Sequence, residues 1–170
     1  GRGLMLRPAT PADFGFIRSL ARQPENAPFI TDEGEAALAG YLADPSARLL
    51  IWEAAGVPAG FVLWCGLGEP SGAVELRRLA LAATGGGQGQ VFIRALVDYG
   101  FGALDAARVW LDASGENPRA VKVYERAGFT LEGRLRQHWY RPALGRVVDL
   151  MLFGMLRTEW EALEPLGSRA

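Results

Sequence analysis

The sequence has little of several residue types on which whole classes of function depend. Its single cysteine, Cys65, cannot form a disulfide within the chain, so a reducing compartment is the default expectation. One histidine, His138, and one cysteine do not make a cluster of metal ligands, and no Ser-His-acid arrangement can be read, so no metal is predicted. The formal net charge is −1, which argues against a general binder of nucleic acid.

Long apolar segments are missing as well. Residues 54–68 carry no charge, but glycine and proline interrupt them and the segment is too short to cross a bilayer. The first residues show no basic-then-apolar signal pattern. A cytoplasmic location with no membrane partner is therefore expected. With 170 residues, 49% of them hydrophobic, the chain is predicted to be a single domain over 1–170.

The charges that are present lie in two segments of opposite sign. Residues 25–53 contain six acidic side chains and one arginine, whereas residues 119–146 contain seven basic side chains and two acids. Such segments suit a protein that binds an anionic molecule on one side and a cationic molecule on the other. They are also compatible with ordinary solvated surfaces.

Periodicity and turn residues predict an alternation of helices and strands. Residues 74–81 read as a strand with Glu75, Arg77 and Leu79 on one face. The predicted strand 147–156 is apolar on both faces apart from Asp149, which indicates a strand inside a sheet. The predicted elements are strands at 4–7, 48–53, 57–67, 74–81, 109–112, 131–140 and 147–156, and helices beginning near 11, 33, 90 and 117. This order predicts an α+β fold, a mixed sheet with helices on both faces.

The spacing of residues also predicts one face of a helix and one face of a strand. In the helix after residue 90, a buried face is predicted that consists of Phe92, Ala95, Leu96, Tyr99 and Ala103. On strand 131–140, alternation places Arg134, Arg136, His138 and Tyr140 on one side. His138 is therefore interpreted as part of a polar surface that could line a substrate, rather than as a catalytic base.

A glycine-rich loop, Thr84-Gly-Gly-Gly-Gln-Gly-Gln90, lies between a predicted strand and a predicted helix. Glycines let consecutive N–H groups turn toward one point, and a helix N-terminus adds a positive dipole, so the loop suits a phosphate or pyrophosphate. The Rossmann fingerprint would need a small residue where Phe92 stands, and a P-loop would need a lysine that the loop lacks. A turn without a ligand is the alternative.

The segment Asn117-Pro-Arg-Ala-Val-Lys-Val-Tyr-Glu-Arg-Ala-Gly-Phe129 is the second informative stretch. Asn117 reads as an N-cap and Gly128 as the residue that ends the helix. Tyr124 lies two helical turns after Asn117, so both side chains point to the same face about 10 Å apart. By itself, a tyrosine at this position is more often a packed aromatic residue than a catalytic one.

Together, strand 74–81, the glycine loop and the Asn-x-x-Ala-x-x-x-Tyr-x-x-x-Gly-Phe motif resemble the GNAT family of acetyl-CoA-dependent N-acetyltransferases. The resemblance runs from about residue 6 to 160. It is strongest to the branch of ribosomal-protein N-terminal and spermidine acetyltransferases, which Glu132-Gly-Arg-Leu-Arg136 also resembles. It implies a mostly antiparallel central sheet with a splayed parallel strand pair. The chain departs from the family at Thr84, where arginine or glutamine is usual.

The resemblance implies a cofactor, acetyl-CoA, and a site for it. Backbone groups of strand 74–81 would hold the pantetheine and acetyl end, the glycine loop would hold the pyrophosphate, and Asn117 would contact the cofactor near its pantetheine or thiol end. The implied cofactor-binding residues are Leu79, Ala80, Leu81, Gly85, Gly86, Gly87, Gln88, Gly89, Gln90 and Asn117. An amine would attack the thioester directly.

Two residues are predicted to be catalytic on this basis. Tyr124 would donate a proton or a hydrogen bond to the departing thiolate, because a phenol pKa near 10 lies just above that of a thiol near 8.5. Glu75 would be the base, acting through water on the acceptor ammonium; ordered water alone, or a surface role for Glu75, is the alternative.

The acceptor would be a primary amine: a peptide or protein N-terminus first, with a polyamine or another small amine close behind. Its groove is expected between the first two helices and the final hairpin, in a monomer or homodimer. Two other functions stay open, a non-catalytic acyl-CoA-binding module of the same fold and a nucleotide-binding protein of another fold.

Overall fold

A computed structural model describes residues 3–166, and its central feature is a seven-stranded sheet in the order β1-β2-β3-β4-β5-β7-β6. The strands are β1 Leu4–Pro8, β2 Arg48–Ala54, β3 Val57–Cys65, β4 Ala73–Leu81, β5 Arg108–Ser114, β6 Thr130–Arg141 and β7 Arg146–Leu156. The helices are α1 Phe14–Arg22, α2 Glu35–Ala43, α3 Gln88–Gly102, α4 Pro118–Ala127 and α5 Arg157–Glu161. A 3-10 turn at Pro11–Asp13 leads into α1.

Every neighbouring pair of strands in this sheet is antiparallel except β4 and β5, which are parallel. The predicted mixed sheet, mostly antiparallel with one parallel pair, is therefore confirmed. Strand β7 lies between β5 and β6, as its two apolar faces indicated. Among residues 3–166, no helix is both long and apolar enough to span a membrane.

Helices cover both faces of the sheet and divide the core in two. On one face, α3 and α4 pack on alternate residues of β2, β3 and β5, including Trp64 and Leu111. On the other face, α1 and α2 pack on the residues between them, such as Ile51 and Leu63. Because side chains alternate across a strand, β2 and β3 supply apolar residues to both layers.

Strands β4 and β5 separate soon after they meet. They pair only from Ala73 to Glu75 on β4 and from Arg108 to Trp110 on β5. Beyond that point β5 continues with β7 on its other side, and β4 continues with β3. The separation leaves a gap in the middle of the sheet, with backbone groups of both strands facing it.

A β-bulge in β4 overturns the predicted alternation on that strand. Leu63 pairs with Arg78 and the next residue, Trp64, pairs with Leu76, so Arg77 is the extra residue. The prediction that Glu75, Arg77 and Leu79 share a face is therefore wrong for Leu79, whereas the side chains of Glu75 and Arg77 do meet. A bulge reverses the alternation beyond it, so Leu79 packs in the same core layer as Leu76.

The regular alternation predicted for β6 is also interrupted, here by two extra residues rather than one. Leu135 pairs with Leu150 while Trp139 pairs with Val148, so three residues of β6 stand opposite Asp149 alone. Within this bulge Gln137 has φ +51°, in the left-handed region, and its N–H donates to the Asp149 carboxylate at 2.8 Å. Arg134, Arg136, His138 and Tyr140 therefore do not form one regular face.

The buried face of α3 also differs from the prediction. Phe92 and Leu96 are buried as expected, but Ala103 is exposed and Ala95 and Tyr99 are half-buried. The helix is turned so that Gly100 meets the sheet, where an added Cβ would come within 2.6 Å of the Trp64 ring. Only glycine permits this close approach. The residues buried on α3 are Phe92, Ile93, Leu96, Val97, Gly100 and Phe101.

Candidate active site

The gap between β4 and β5 opens into a cleft of ≈ 1180 Å³. It runs through the sheet, from the α3 and α4 side to the loop between α1 and α2. Its walls come from that loop, β4, the start of α3, β5, α4 and the bulge of β6. Of the predicted site residues, those that line it are Glu75, Leu79, Leu81, Gly89, Asn117 and Tyr124.

Strand β4 offers the cleft a free backbone edge. Past Glu75, its β5-facing N–H and C=O groups have no strand partner within residues 3–166. An extended ligand with amide groups can pair with such an edge as an added strand would. The side chains beside it differ: those of Leu79 and Leu81 line the cleft, whereas Ala80 is buried on the opposite face.

The glycine loop reaches the cleft at the N-terminus of α3. Gly85, Gly86 and Gly87 have φ values of +99°, +59° and +79°, and apart from their chain neighbours no atom of residues 3–166 lies within 4 Å of a Cβ added to any of them. These glycines are therefore required by the backbone conformation and not by crowding. The loop remains open to a ligand on its outer side.

Several backbone donors of this loop are unused. In the described part of the chain, the N–H groups of Gly86, Gly87, Gly89 and Gln90 reach no carbonyl, while Gln88 N–H bonds to Gly85 at 3.1 Å. Unpaired N–H groups at the start of a fifteen-residue helix form an anion-binding end. The Gln90 side chain is not free, since its Nε2 donates to the Val123 carbonyl at 3.3 Å.

A positively charged side chain that the sequence did not point to lies beside the glycine loop. Arg119, in the first turn of α4, donates from Nη1 to the Thr84 hydroxyl at 3.3 Å, and both residues line the cleft. Thr84 itself lacks the donors of the arginine or glutamine that is usual at this position in the family. The structure brings an arginine from a different element to the same place, which only the packing of α3 against α4 determines.

Asn117 caps α4 as predicted, and its Oδ1 accepts the Ala120 N–H at 3.2 Å. Two turns later Tyr124 is 8% exposed, with its ring edge-on to Phe129 and Phe153 at centroid distances of 6.1 and 5.7 Å. Its hydroxyl makes no hydrogen bond within residues 3–166. Burial, and then the charge of Asp112, raise the pKa of the Tyr124 phenol, so the hydroxyl keeps its proton.

Glu75 lies at the point where the parallel pairing ends and lines the cleft. Its carboxylate accepts two hydrogen bonds from Arg77, at 2.8 and 3.2 Å. Glu75 thus reaches the cleft as predicted, but with a positive charge beside it.

Asp112 was missed by sequence reasoning. It follows Leu111 on β5, just past the last parallel pair, and is half-buried in the wall of the cleft. Burial, and then the nearby charge of Glu75, raise the pKa of its carboxyl. The only available signal was a charged residue in an apolar strand.

The loop between α1 and α2 closes the other end of the cleft, and a buried arginine holds it. Arg141, 4% exposed at the end of β6, donates to the carbonyls of Ala27, Pro28 and Ile30 at 2.9–3.1 Å, and to the Thr31 hydroxyl. Its guanidinium also lies 4.1 Å from the Trp139 ring centroid. By bonding to residues 27–31, Arg141 fixes the position of the loop that forms one wall of the groove.

Ion pairs reduce the charge contrast seen in the sequence. Asp32 pairs with Arg18 and Arg22, and Glu33 pairs with Arg78 at 3.0 Å. On the basic segment, Arg134 pairs with Asp149 and Arg146 with Glu116. The groove does form between the first two helices and the hairpin. Within residues 3–166, three of the six acids of segment 25–53 are in ion pairs, but only two of the seven basic residues of segment 119–146 are.

Comparison with known proteins adds to this geometry. A family model described as an acetyltransferase (GNAT) domain matches residues 3–130. An uncharacterized N-acetyltransferase, p20, of Bacillus licheniformis is 34% identical over 68 residues, 40% of this chain and 37% of the relative. Spermidine N(1)-acetyltransferase of Vibrio cholerae is 34% identical over 77 residues, 43% of each chain. The chain thus spans about two fifths of the length of the curated relatives it matches.

Solved structures resemble the whole fold. A spermidine N-acetyltransferase from Vibrio cholerae, in complex with CoA and spermine, superimposes with a TM-score of 0.83 at 23% identity, over 95% of this chain and 99% of that one. A dodecameric form of that enzyme gives a TM-score of 0.79 at 24% identity, over 94% and 97% of the two chains. The match of the family model over three quarters of the chain, on a sheet with a splayed parallel pair, establishes that this protein belongs to the GNAT acetyltransferase family.

Proposed function

We propose that this protein transfers the acetyl group of acetyl-CoA to a primary amine by direct attack of the amine on the thioester. The observation that carries the proposal is the continuous cleft between β4 and β5, with a glycine loop of free N–H groups at one end and a buried tyrosine with two carboxylates further in. Family membership and the N-acetyltransferase relatives support it.

The cofactor would lie along the free edge of β4. Backbone groups of Leu79, Ala80 and Leu81 suit the amides of pantetheine, because this edge lacks a strand partner. Residues Gly85, Gly86, Gly87, Gln88, Gly89 and Gln90 would hold the pyrophosphate through N–H groups and the helix dipole. Arg119 adds a positive charge there, and Asn117 lines the cleft between this end and Tyr124.

Tyr124 would stabilise the leaving thiolate. Its raised phenol pKa keeps the hydroxyl protonated and makes complete proton transfer to a thiolate less favourable than a strong hydrogen bond. The hydroxyl has no competing partner among the described residues. Glu75, at the acceptor side of the same gap, is the base candidate that the sequence indicated, with a water carrying the proton.

The acceptor would enter under the loop held by Arg141. Carboxylates of Glu25, Glu75 and Asp112 line this part of the cleft, together with Arg77 and Arg78. This surplus of one negative charge suits a cationic amine. The relative that acetylates spermidine and the solved structure holding CoA and spermine favour a polyamine; a peptide N-terminus was expected first.

An assay of thiol release with acetyl-CoA tests the proposal across spermidine, spermine, a simple diamine and peptides with a free N-terminus. We expect release that depends on one class of amine, and acetyl-CoA binding that free CoA competes away. CoA binding without release on any amine would instead support a non-catalytic acyl-CoA-binding module. The assembly, predicted as a monomer or homodimer, is checked by light scattering of the same sample.

A further inference from the structure

Helix α4 carries positive charges that the rest of the protein does not neutralise. Its basic side chains are Arg119, Lys122 and Arg126, its one acid is Glu125, and all four are exposed. Within residues 3–166 none of the three basic groups forms an ion pair, and their only hydrogen bond is the one from Arg119 to the Thr84 hydroxyl. A helix that keeps three cations unpaired suits an anionic partner.

Helix geometry places these three cations on one side of α4. Residues that are three, four or seven positions apart in a helix lie on the same face. Arg119, Lys122 and Arg126 therefore form a row about 10 Å long, which we call the basic face of α4. Arg119 stands at its N-terminal end, next to the glycine loop, and the other two follow along the helix.

The start of α3 packs against the middle of this row. A Cβ added to Gly89 would lie 3.7 Å from the Val123 Cγ2 atom, and Gln90 Nε2 donates to the Val123 carbonyl at 3.3 Å. Val123 lies one helical turn after Arg119 and three residues before Arg126. The free N–H groups at the start of α3 are thus flanked by an arginine toward each end of α4.

The chemistry of CoA supplies a matching anion. Besides its pyrophosphate, CoA carries a phosphate monoester on the 3′ oxygen of the ribose, and this group bears about two negative charges at pH 7.5 because its second pKa is near 6. With pantetheine along β4 and the pyrophosphate at the glycine loop, the adenosine end leaves the cleft on the outer side of that loop. Lys122 and Arg126 are exposed there and do not line the cleft itself.

We propose that Lys122 and Arg126 bind the 3′-phosphate of the cofactor and make the protein select CoA over 3′-dephospho-CoA. This inference rests on the proposed acetyltransferase function and assigns a specificity determinant to its cofactor site. The Arg126 guanidinium can donate two parallel hydrogen bonds to phosphate oxygens, and Lys122 adds a compact positive charge. Arg119 acts on the pyrophosphate, so it serves both cofactors equally.

Calorimetry with CoA and with 3′-dephospho-CoA tests this assignment on the double variant Lys122→Gln/Arg126→Gln. Glutamine keeps the helix propensity of both positions and removes only the charges. In 50 mM salt we expect the Kd of CoA to rise by roughly five- to thirtyfold, whereas the Kd of 3′-dephospho-CoA changes by less than about twofold. The second ligand thus reports, in the same sample, that the variant is folded and its cleft intact.

Two further variants separate the 3′-phosphate from other effects of charge. Arg119→Gln should weaken both ligands by the same factor, because both contain the pyrophosphate. Arg48→Gln removes an exposed charge from β2, a strand that does not line the cleft, and should leave both Kd values unchanged. The preference of the wild type for CoA should shrink between 50 and 500 mM salt, since exposed charges are screened.

Turnover gives a second readout of the same selection. The ratio of kcat/KM for acetyl-CoA to that for acetyl-3′-dephospho-CoA should fall in the double variant by the same factor as the ratio of affinities. Equal binding of CoA and 3′-dephospho-CoA by the wild type would overturn the proposal, and so would a double variant that weakens both ligands alike. A wild type that binds neither ligand would instead refute the proposed acetyltransferase function, and this inference with it.

Discussion

Removal of the Arg141 guanidinium should loosen the wall of the acceptor groove. Arg141→Met keeps most of the side chain's apolar length but removes all four hydrogen bonds to residues 27–31. The protein also loses the contact of the guanidinium with the Trp139 ring. The loop carries Asn26, Phe29 and Thr31 into the cleft, so its position and the shape of the groove are linked.

The magnitude follows from the number and kind of these bonds. A hydrogen bond to a charged group contributes about 1.5–3 kcal/mol, but the three carbonyls lie in a half-exposed surface loop and can be rehydrated when Arg141 is gone. Water replaces most of each bond, so losing all four should lower the free energy of unfolding by about 2–4 kcal/mol. For a chain of this size that lowers the Tm by roughly 5–15 °C.

Urea unfolding and thermal denaturation would measure this loss, with Arg136→Met as the control. Arg136 is an exposed arginine on the same strand, and its replacement should change stability by less than about 0.5 kcal/mol. In Arg141→Met the KM for the amine should rise while the Kd of acetyl-CoA stays constant, because the glycine loop lies at the other end of the cleft. Wild-type stability together with an unchanged KM would refute this reasoning.

Three further predictions concern the cofactor end, the thiolate and the dependence of stability on pH. Tyr124→Phe should lower kcat by on the order of ten- to a thousandfold, with acetyl-CoA binding little changed. The control Tyr140→Phe, which alters an exposed tyrosine, should have no effect. If Tyr124→Phe turns over as fast as the wild type, Tyr124 has no part in the mechanism. Arg119→Gln should weaken CoA binding by roughly three- to tenfold in low salt, and calorimetry should find the difference smaller at high salt. The bidentate pair with Arg7 holds the pKa of Asp13 below its usual value of 3.8. The ionised Asp13 carboxylate therefore stabilises the fold above pH 3.8, and this stabilisation is lost as the pH falls below that value. The Tm deficit of Asp13→Asn relative to the wild type should accordingly shrink between pH 7 and pH 3.

Much of the fold could be predicted because local signals agreed with it. The two apolar faces of residues 147–156 indicated an internal strand, and β7 is one. Asn117 and Gly128 marked the ends of α4, where the cap hydrogen bond and φ +103° are found. The run of glycines at 85–87 predicted an open loop with left-handed backbone conformation before a helix. In each case the cause acts within one element, so the sequence carries it.

The bulges could not be predicted, and they changed the interpretation of the site. A single extra residue at Arg77 reverses the alternation of β4, and neither propensity nor spacing marks where a strand takes it up. The larger bulge around Gln137, with two extra residues, is equally unmarked in the sequence. The period of two correctly placed Arg77 beside Glu75, but it placed Leu79 on the same face, and the bulge turns Leu79 to the opposite core layer.

The sequence by itself determined the family, the cofactor motif and the positions of Asn117 and Tyr124, since these depend on short-range spacing along a loop and a helix. Tertiary structure alone decided which charges remain free. Arg119 reaches Thr84, and Arg141 holds residues 27–31, through contacts between segments far apart in the chain. Asp112 is left without a partner because the arginines near it are already paired. Ion pairing depends on distances in space, which a linear order of residues does not contain.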